Sequence, residues 1–134
     1  NLFKRGGGPE PPVGISVPQA MYDDFVKISE PIQKIRPDYP FEVKVREPRK
    51  RPTRMGGTDA SVFAIEGVPT LGFTTEDFKG YDFDYGEIWH TERDLYTKNI
   101  PEYQEHTATV TAIIALGVAN LDKQLSREGL YTEE

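Results

Sequence analysis

Apolar residues at Met21, Phe25, Ile28, Ile32 and Ile35 recur at steps of four and three. That spacing puts them on one face of a helix running through "VPQAMYDDFVKISEPIQKI". Pro18 suits the first turn of such a helix. Pro31 lies late in it, where its ring and missing N–H should kink or shorten the helix. The period then changes. In "FEVKVRE", Phe41, Val43 and Val45 alternate with Glu42, Lys44 and Arg46, which predicts a half-buried strand. In "MGGTDASVFAIEG", Thr58 or Asp59 can cap a short helix that Gly67 ends in the left-handed conformation. "VPTLGF" follows as a short apolar run, with Val68, Leu71 and Phe73 predicting a buried strand. The last element starts near Asn99 and Pro101. Tyr103, Val110, Ile114, Gly117, Leu121 and Leu125 trace one stripe of a long helix reaching Ser126, and Gly129 marks a stop.

Between these elements lie stretches with other habits. Residues 1–14 hold Gly6, Gly7, Gly8, Pro9, Pro11, Pro12 and Gly14. So dense a run of helix and strand breakers predicts a loop or mobile arm. "TTEDFKGYDFDYGEIWH" is aromatic and acidic without a clear period and predicts a long loop, a frequent carrier of function. The order helix, strand, short helix, strand, loop, long helix predicts an α/β fold with parallel strands. Only two or three strands are visible, fewer than a doubly wound sheet normally has. Residues 15–134 therefore read as one part of a larger domain.

Composition narrows the function classes. A chain of 134 residues predicts one domain with a modest core. Its net charge of -6 at pH 7 speaks against a nucleic-acid partner. No apolar run approaches the length of a membrane span. Absence of cysteine excludes disulfides, thiolate metal sites and a cysteine nucleophile. The sequence begins at Asn1 without a methionine or a targeting stretch, in keeping with a piece of a longer protein.

Candidate chemistry concentrates in "GEIWHTERD", where one of two histidines follows the lone tryptophan. A lone histidine is more often a surface residue than a ligand. His90, however, follows a loop and an aromatic, with Thr91 and Asp94 close by to orient its ring, as a metal-bound imidazole requires. Asp59 opens a helix behind a Gly-Gly pair, where α/β loops expose functional groups, although a plain N-cap explains it equally well. "REPRKRPTR" carries Arg46, Arg49, Lys50, Arg51 and Arg54. Its prolines predict a solvated loop, with contact to an anionic group as the alternative. The loop "DFDYGE" lacks the spaced acids of a calcium loop. His106 reads as a surface or half-buried helix residue. No phosphate loop or Gly-x-Ser-x-Gly elbow occurs.

"GGTDASVFAIEGVPTLGF", then "IWHTERDLYTKN", then a long amphipathic helix, resembles the C-terminal half of the M28 family of zinc peptidases. These are mostly di-zinc aminopeptidases. The likeness covers roughly residues 55–125 and rests on Gly57, Thr58, Asp59, Phe63, Gly67, Val68, Pro69, Trp89, His90, Thr91 and Asp94, in order and spacing. It implies a partial three-layer α/β/α sandwich, the C-terminal portion of a zinc-peptidase-like fold. It also implies that His90 is a zinc ligand and that Asp59 lies at the rim of the same pocket. Phe63, Trp89 and Tyr85 would line a peptide substrate site. A periplasmic or secreted location is implied as well, while the residues themselves leave the compartment open.

The departures are as informative as the matches. Ala60 stands where many members have His after the Asp. The family's upstream His-x-Asp, its Glu-Glu pair with the general base, and its further Asp have no counterpart before Gly57. A catalytic zinc needs three protein ligands and a water. This chain alone, with no catalytic residue of its own, is therefore expected to be inactive, to bind zinc weakly or not at all, and to self-associate through uncovered edges. Two alternatives are a glutaminyl cyclase-like zinc acyltransferase, which shares "GVP" and "WHT", and a non-catalytic peptide-binding remnant.

Overall fold

The first strand of the sheet lies where proline and glycine density predicts an arm. The computed structural model describes residues 10–81 and 85–132, without the side chains of Tyr85 and Glu87. Strand β1 is Pro12–Val17, and it is the central strand of a three-stranded sheet ordered β2-β1-β3. Two features admit the prolines. Pro12 is the first residue of the strand, and the register against β3 shifts between Pro12 and Gly14. A strand start and a bulge are the places where a missing N–H costs no ladder bond. Pro11 and Pro12 are fully buried, and the Pro11 carbonyl accepts the Glu76 N–H at 3.2 Å. The expected arm is thus corrected for residues 12–14; residues 1–9 lie outside the described part.

Helix α1, Gln19–Ile35, joins β1 to its parallel neighbour β2, Glu42–Val45. Met21, Phe25 and Ile32 are buried, and Ile28 packs beside them. Ile35 ends the helix at 57% exposure and leaves the predicted face. Pro31 does not shorten the helix, which runs on through Ile35 and closes with the Arg36 N–H on the Ile32 carbonyl at 2.8 Å. Val43 is buried, whereas Val45, although paired with buried Val17, is 44% exposed at the end of an edge strand.

The other pairing differs from expectation. Strand β3 covers only Phe73–Thr75 and runs antiparallel to β1. Val68 and Leu71 precede it as irregular chain. The parallel reading required a helix to cross the sheet between strands. Helix α2, Ala60–Ile65, is six residues long and packs on none of the strands, so it provides no such crossover. The fold is mixed α/β with one parallel and one antiparallel pair.

Helix α3 is the short Tyr85–Ile88, a 3-10 turn follows at Tyr96–Lys98, and α4 spans Pro101–Ala119. Pro101 opens α4 as predicted. Tyr103, His106, Val110 and Ile114 form its buried stripe. Gly117 continues that stripe against α1: a Cβ there would lie 2.3 Å from Ile28 Cγ2. Glycine at 117 lets the two helices approach this closely. The helix ends at Ala119, with the Asn120 N–H on the Leu116 carbonyl at 3.0 Å, short of the expected Ser126. Beyond it the chain folds back. Leu125 packs on the core, Leu130 is buried, and Tyr131 bridges to Arg49.

Both long helices share one core with the sheet, made of Ile15, Val17, Met21, Phe25, Ile32, Val43, Val110, Ile114 and Leu130. The opposite sheet face carries Gly14, Ser16, Glu42, Lys44 and Thr74, and the last three are exposed. Among the described residues no helix is long and apolar enough to cross a membrane.

Candidate functional site

Asp59 precedes α2 with φ -59° and ψ -32°. Its carboxylate makes no capping bond, and neither does Thr58. The N-cap expected from either residue is therefore corrected. In that helical conformation the side chain is not turned back toward the free N–H groups, and Ser61 Oγ instead donates to the Thr58 carbonyl at 2.7 Å. The other end forms as predicted. Gly67, at φ +70°, donates to the Ala64 carbonyl, and Val68 donates to Phe63, each at 3.0 Å. These two bonds make a left-handed helix stop. Arg51 closes the same end by donating from Nε to the Ile65 carbonyl at 2.7 Å, with Nη2 on the same oxygen. One arginine of the basic loop thus caps a helix end. Asp59 and Phe63 are both exposed, Phe63 at 57%.

His90 lies two residues beyond α3 and is exposed. Its backbone is at φ 54°, the one non-glycine residue with positive φ among those described. Histidine tolerates this region better than most residues, yet such positions cluster where function demands them. Trp89, 54% exposed, stands against it with ring centroids 4.4 Å apart. Thr91 holds the turn: its Oγ1 donates to the Ile88 carbonyl at 2.9 Å and accepts the Arg93 N–H at 3.2 Å. The left-handed kink thereby pushes the Trp89–His90 pair into solvent. Asp94 is likewise exposed and makes no bond to the His90 ring. The expectation that Asp94 orients the imidazole is not met. Tyr85 begins α3, and its side chain lies outside the described residues, as does most of "DFDYGE".

Asp59 and Phe63 lie at the start of α2 and within it, apart in sequence from Trp89 and His90 beyond α3. Helices α2 and α3 make no contact with each other among the described residues. Among the described residues, no three of His, Asp and Glu converge as metal ligands do. The imidazole of His90 fits one corner of a zinc site, and the other corners are not supplied by its described neighbours. A separate open cleft of about 470 Å³ lies over the polar sheet face, between Gly14, Gln33, Phe41, Glu42, Lys44 and Thr74. It includes none of the predicted site residues.

A different cluster is tightly built. Glu102, in the first turn of α4, accepts from Tyr39 Oη at 2.9 Å, from Lys79 Nζ at 2.6 Å and from Tyr81 Oη. Asp77 answers from the other side, accepting from Tyr103 Oη at 2.7 Å and from the Tyr81 N–H at 3.0 Å. Tyr103 Oη in turn accepts the Lys79 N–H at 3.0 Å. The Lys79, Tyr81 and Tyr39 donors hold the Glu102 carboxyl down to about 2. Burial, with the Asp77 carboxylate, pushes the Tyr103 hydroxyl well above the usual tyrosine range. Tyr39 is raised by burial and Tyr81 by its bond to Glu102.

His106 lies beneath this cluster, completely buried. That corrects the surface reading. Its ring stacks on Tyr39, with centroids 4.0 Å apart at 29°. Neither ring nitrogen makes a hydrogen bond of good geometry, and the Pro12 carbonyl is an acceptor close to the ring. Burial lowers its pKa, the nearby Pro12 backbone opposes that, and Arg36 lowers it further. The signal was present in the sequence, because 106 falls between 103 and 110 on the apolar stripe.

Comparison of the chain with known protein families, curated protein sequences and solved structures finds no match.

Proposed function

We propose that this chain is the C-terminal part of an M28-type zinc exopeptidase and that His90 supplies one of its metal ligands. One observation carries the reading: His90 is held at φ 54° and presented to solvent beside Trp89. A left-handed histidine with an exposed imidazole is a costly way to end a turn unless the ring has a use. The ordered resemblance from Gly57 to Asp94 supplies the identity of that use.

On this reading, His90 would hold one position of a zinc ion, which when bound would supply Lewis-acid polarisation of a carbonyl and activation of a water. His90 contributes a neutral imidazole, the form zinc binds. Trp89 shields one side of that ring from water. Asp59 and Phe63 stand at the rim, where they would contact the substrate chain end, with Tyr85 assigned the same part by the resemblance. The remaining ligands and the general base come from a segment outside this sequence. The larger three-layer sandwich would form by adding strands beside β2 and β3, each of which has one partner in the described sheet. Uncovered, these edges favour self-association of the isolated chain.

The parent polypeptide, assayed on aminoacyl anilides and on peptides with N-terminal glutamine, tests the reading. Hydrolysis of the anilides, reduced at least a hundredfold by His90→Ala and less by Asp59→Asn, is expected. Cyclisation of glutamine peptides alone would favour the acyltransferase alternative.

A further inference from the structure

The cross-ties around Glu102 and Asp77 fasten one segment, Asp77–Tyr81, to two others: the start of α4 and the turn after α1 that carries Tyr39. Glu102 on α4 accepts from Lys79 and Tyr81 of the segment, and Asp77 of the segment accepts from Tyr103 on α4, so the segment is clamped from both directions. Tyr39 is the hinge between this clamp and the core. Its hydroxyl bonds Glu102, its ring packs edge-on against Phe78 at 5.0 Å, and it also stacks on the His106 ring.

We propose that His106 is an acid-sensitive release for this clamp: neutral, it supports Tyr39 and keeps segment 77–81 fastened; protonated, it must leave its site, and the segment opens. The geometry carries the inference. An imidazolium has two donors to satisfy, and at this fully buried position neither nitrogen makes a hydrogen bond of good geometry, the Pro12 carbonyl being the one acceptor near the ring. A buried charge without partners is expelled or neutralised. The groups facing it offer little relief. From the end of α1, Arg36 brings a like charge, and its guanidinium lies 5.9 Å from the Tyr39 ring centroid. From the clamped segment, Lys79 Nζ lies 4.9 Å from the same ring. From β1 the Pro12 carbonyl can accept from one ring nitrogen and favours the charged form, which leaves the other donor without a partner and does not offset burial. On α4 itself, the carboxylates are already engaged, Glu102 by three donors and Glu105 by Arg36. Tyr103 donates to Asp77. A third cation beside Tyr39 would therefore repel two others. Neither the zinc assignment nor the peptidase assignment enters this inference.

Amide hydrogen exchange of Lys79 and Tyr81 tests it, since both N–H groups are bonded inside the clamp. Rates are corrected for the intrinsic effect of pH and compared at pH 7.5 and 5.0. Protection should fall about tenfold for each pH unit below 6.5, until the closed-state titration is reached. His106→Phe, which keeps a stacked ring without a proton site, should abolish that pH dependence while exchange of the core amides of α1 stays slow. Equal protection at both pH values in the wild type, or an unchanged pH dependence in His106→Phe, overturns the proposal. NMR titration of the His106 ring gives a second reading independent of any variant. A midpoint at or above 6.5 overturns the proposal, and a lower one upholds it.

Discussion

His90 should be worth more to function than to folding, and replacing it by two different small residues separates the two. At φ 54° an L-residue other than glycine carries a steric penalty of roughly 1–2 kcal/mol. Alanine at position 90 keeps that penalty and loses the imidazole. Glycine loses the imidazole and also the penalty, but its freer unfolded chain costs about 0.4–1 kcal/mol. The difference leaves His90→Gly more stable than His90→Ala by about 1 kcal/mol, or about 4 °C in Tm for a chain of this size. The ring contributes little to either comparison, because it is exposed and its main contact is with half-exposed Trp89. Urea unfolding of the two variants and the wild type, with unchanged m values, measures the difference. Alanine equal to or better than glycine would refute a left-handed backbone at His90, and with it the reasoning that the fold accepts strain to expose this side chain.

Three other outcomes follow from the packing and the charges. Gly117→Ala should destabilise by about 1–2 kcal/mol in thermal melts despite alanine's better helix propensity, because its Cβ would meet Ile28 Cγ2 at 2.3 Å; in an Ile28→Ala background the same change should be neutral or stabilising, and additivity would contradict the close approach. Glu102 has a depressed folded pKa, so its contribution is complete above the unfolded value of 4.5 and is lost as pH falls toward about 2; Glu102→Gln should therefore flatten the acid-unfolding curve between those limits, and an unchanged slope would remove Glu102 from the cluster. Sedimentation at micromolar concentration should show the isolated chain as a dimer or larger species, and a well-folded monomer would mean that β2 and β3 tolerate open edges.

Much of the fold can be read in the periodicities. The steps of α1 and the alternation around Val43 are strong because one face of each is buried against a common core. Gly67 and Pro101 were legible because each satisfies a local backbone rule. Strand β1 was hidden because prolines block a strand only where an N–H is needed, and tertiary pairing decides which positions those are. The direction of β3 depends on how a six-residue helix fails to cover the sheet, which no local window contains. His106 was legible by position and obscured by residue type. The clamp joins Tyr39, residues 77–81 and the first turn of α4, so no motif of fixed spacing could mark it. Of the candidate site, Asp59, Phe63, Trp89 and His90 are exposed, and among the described residues no three of His, Asp and Glu converge as metal ligands do.

The proposed function is tested most directly by the zinc bound per molecule in a longer polypeptide that joins this chain to the proposed upstream segment, measured after dialysis for wild type and His90→Ala. The account predicts at least one zinc in the wild type and the loss of one in the variant, with the circular dichroism unchanged. Equal zinc in both proteins, or an upstream segment without His-x-Asp and Glu-Glu, would contradict it.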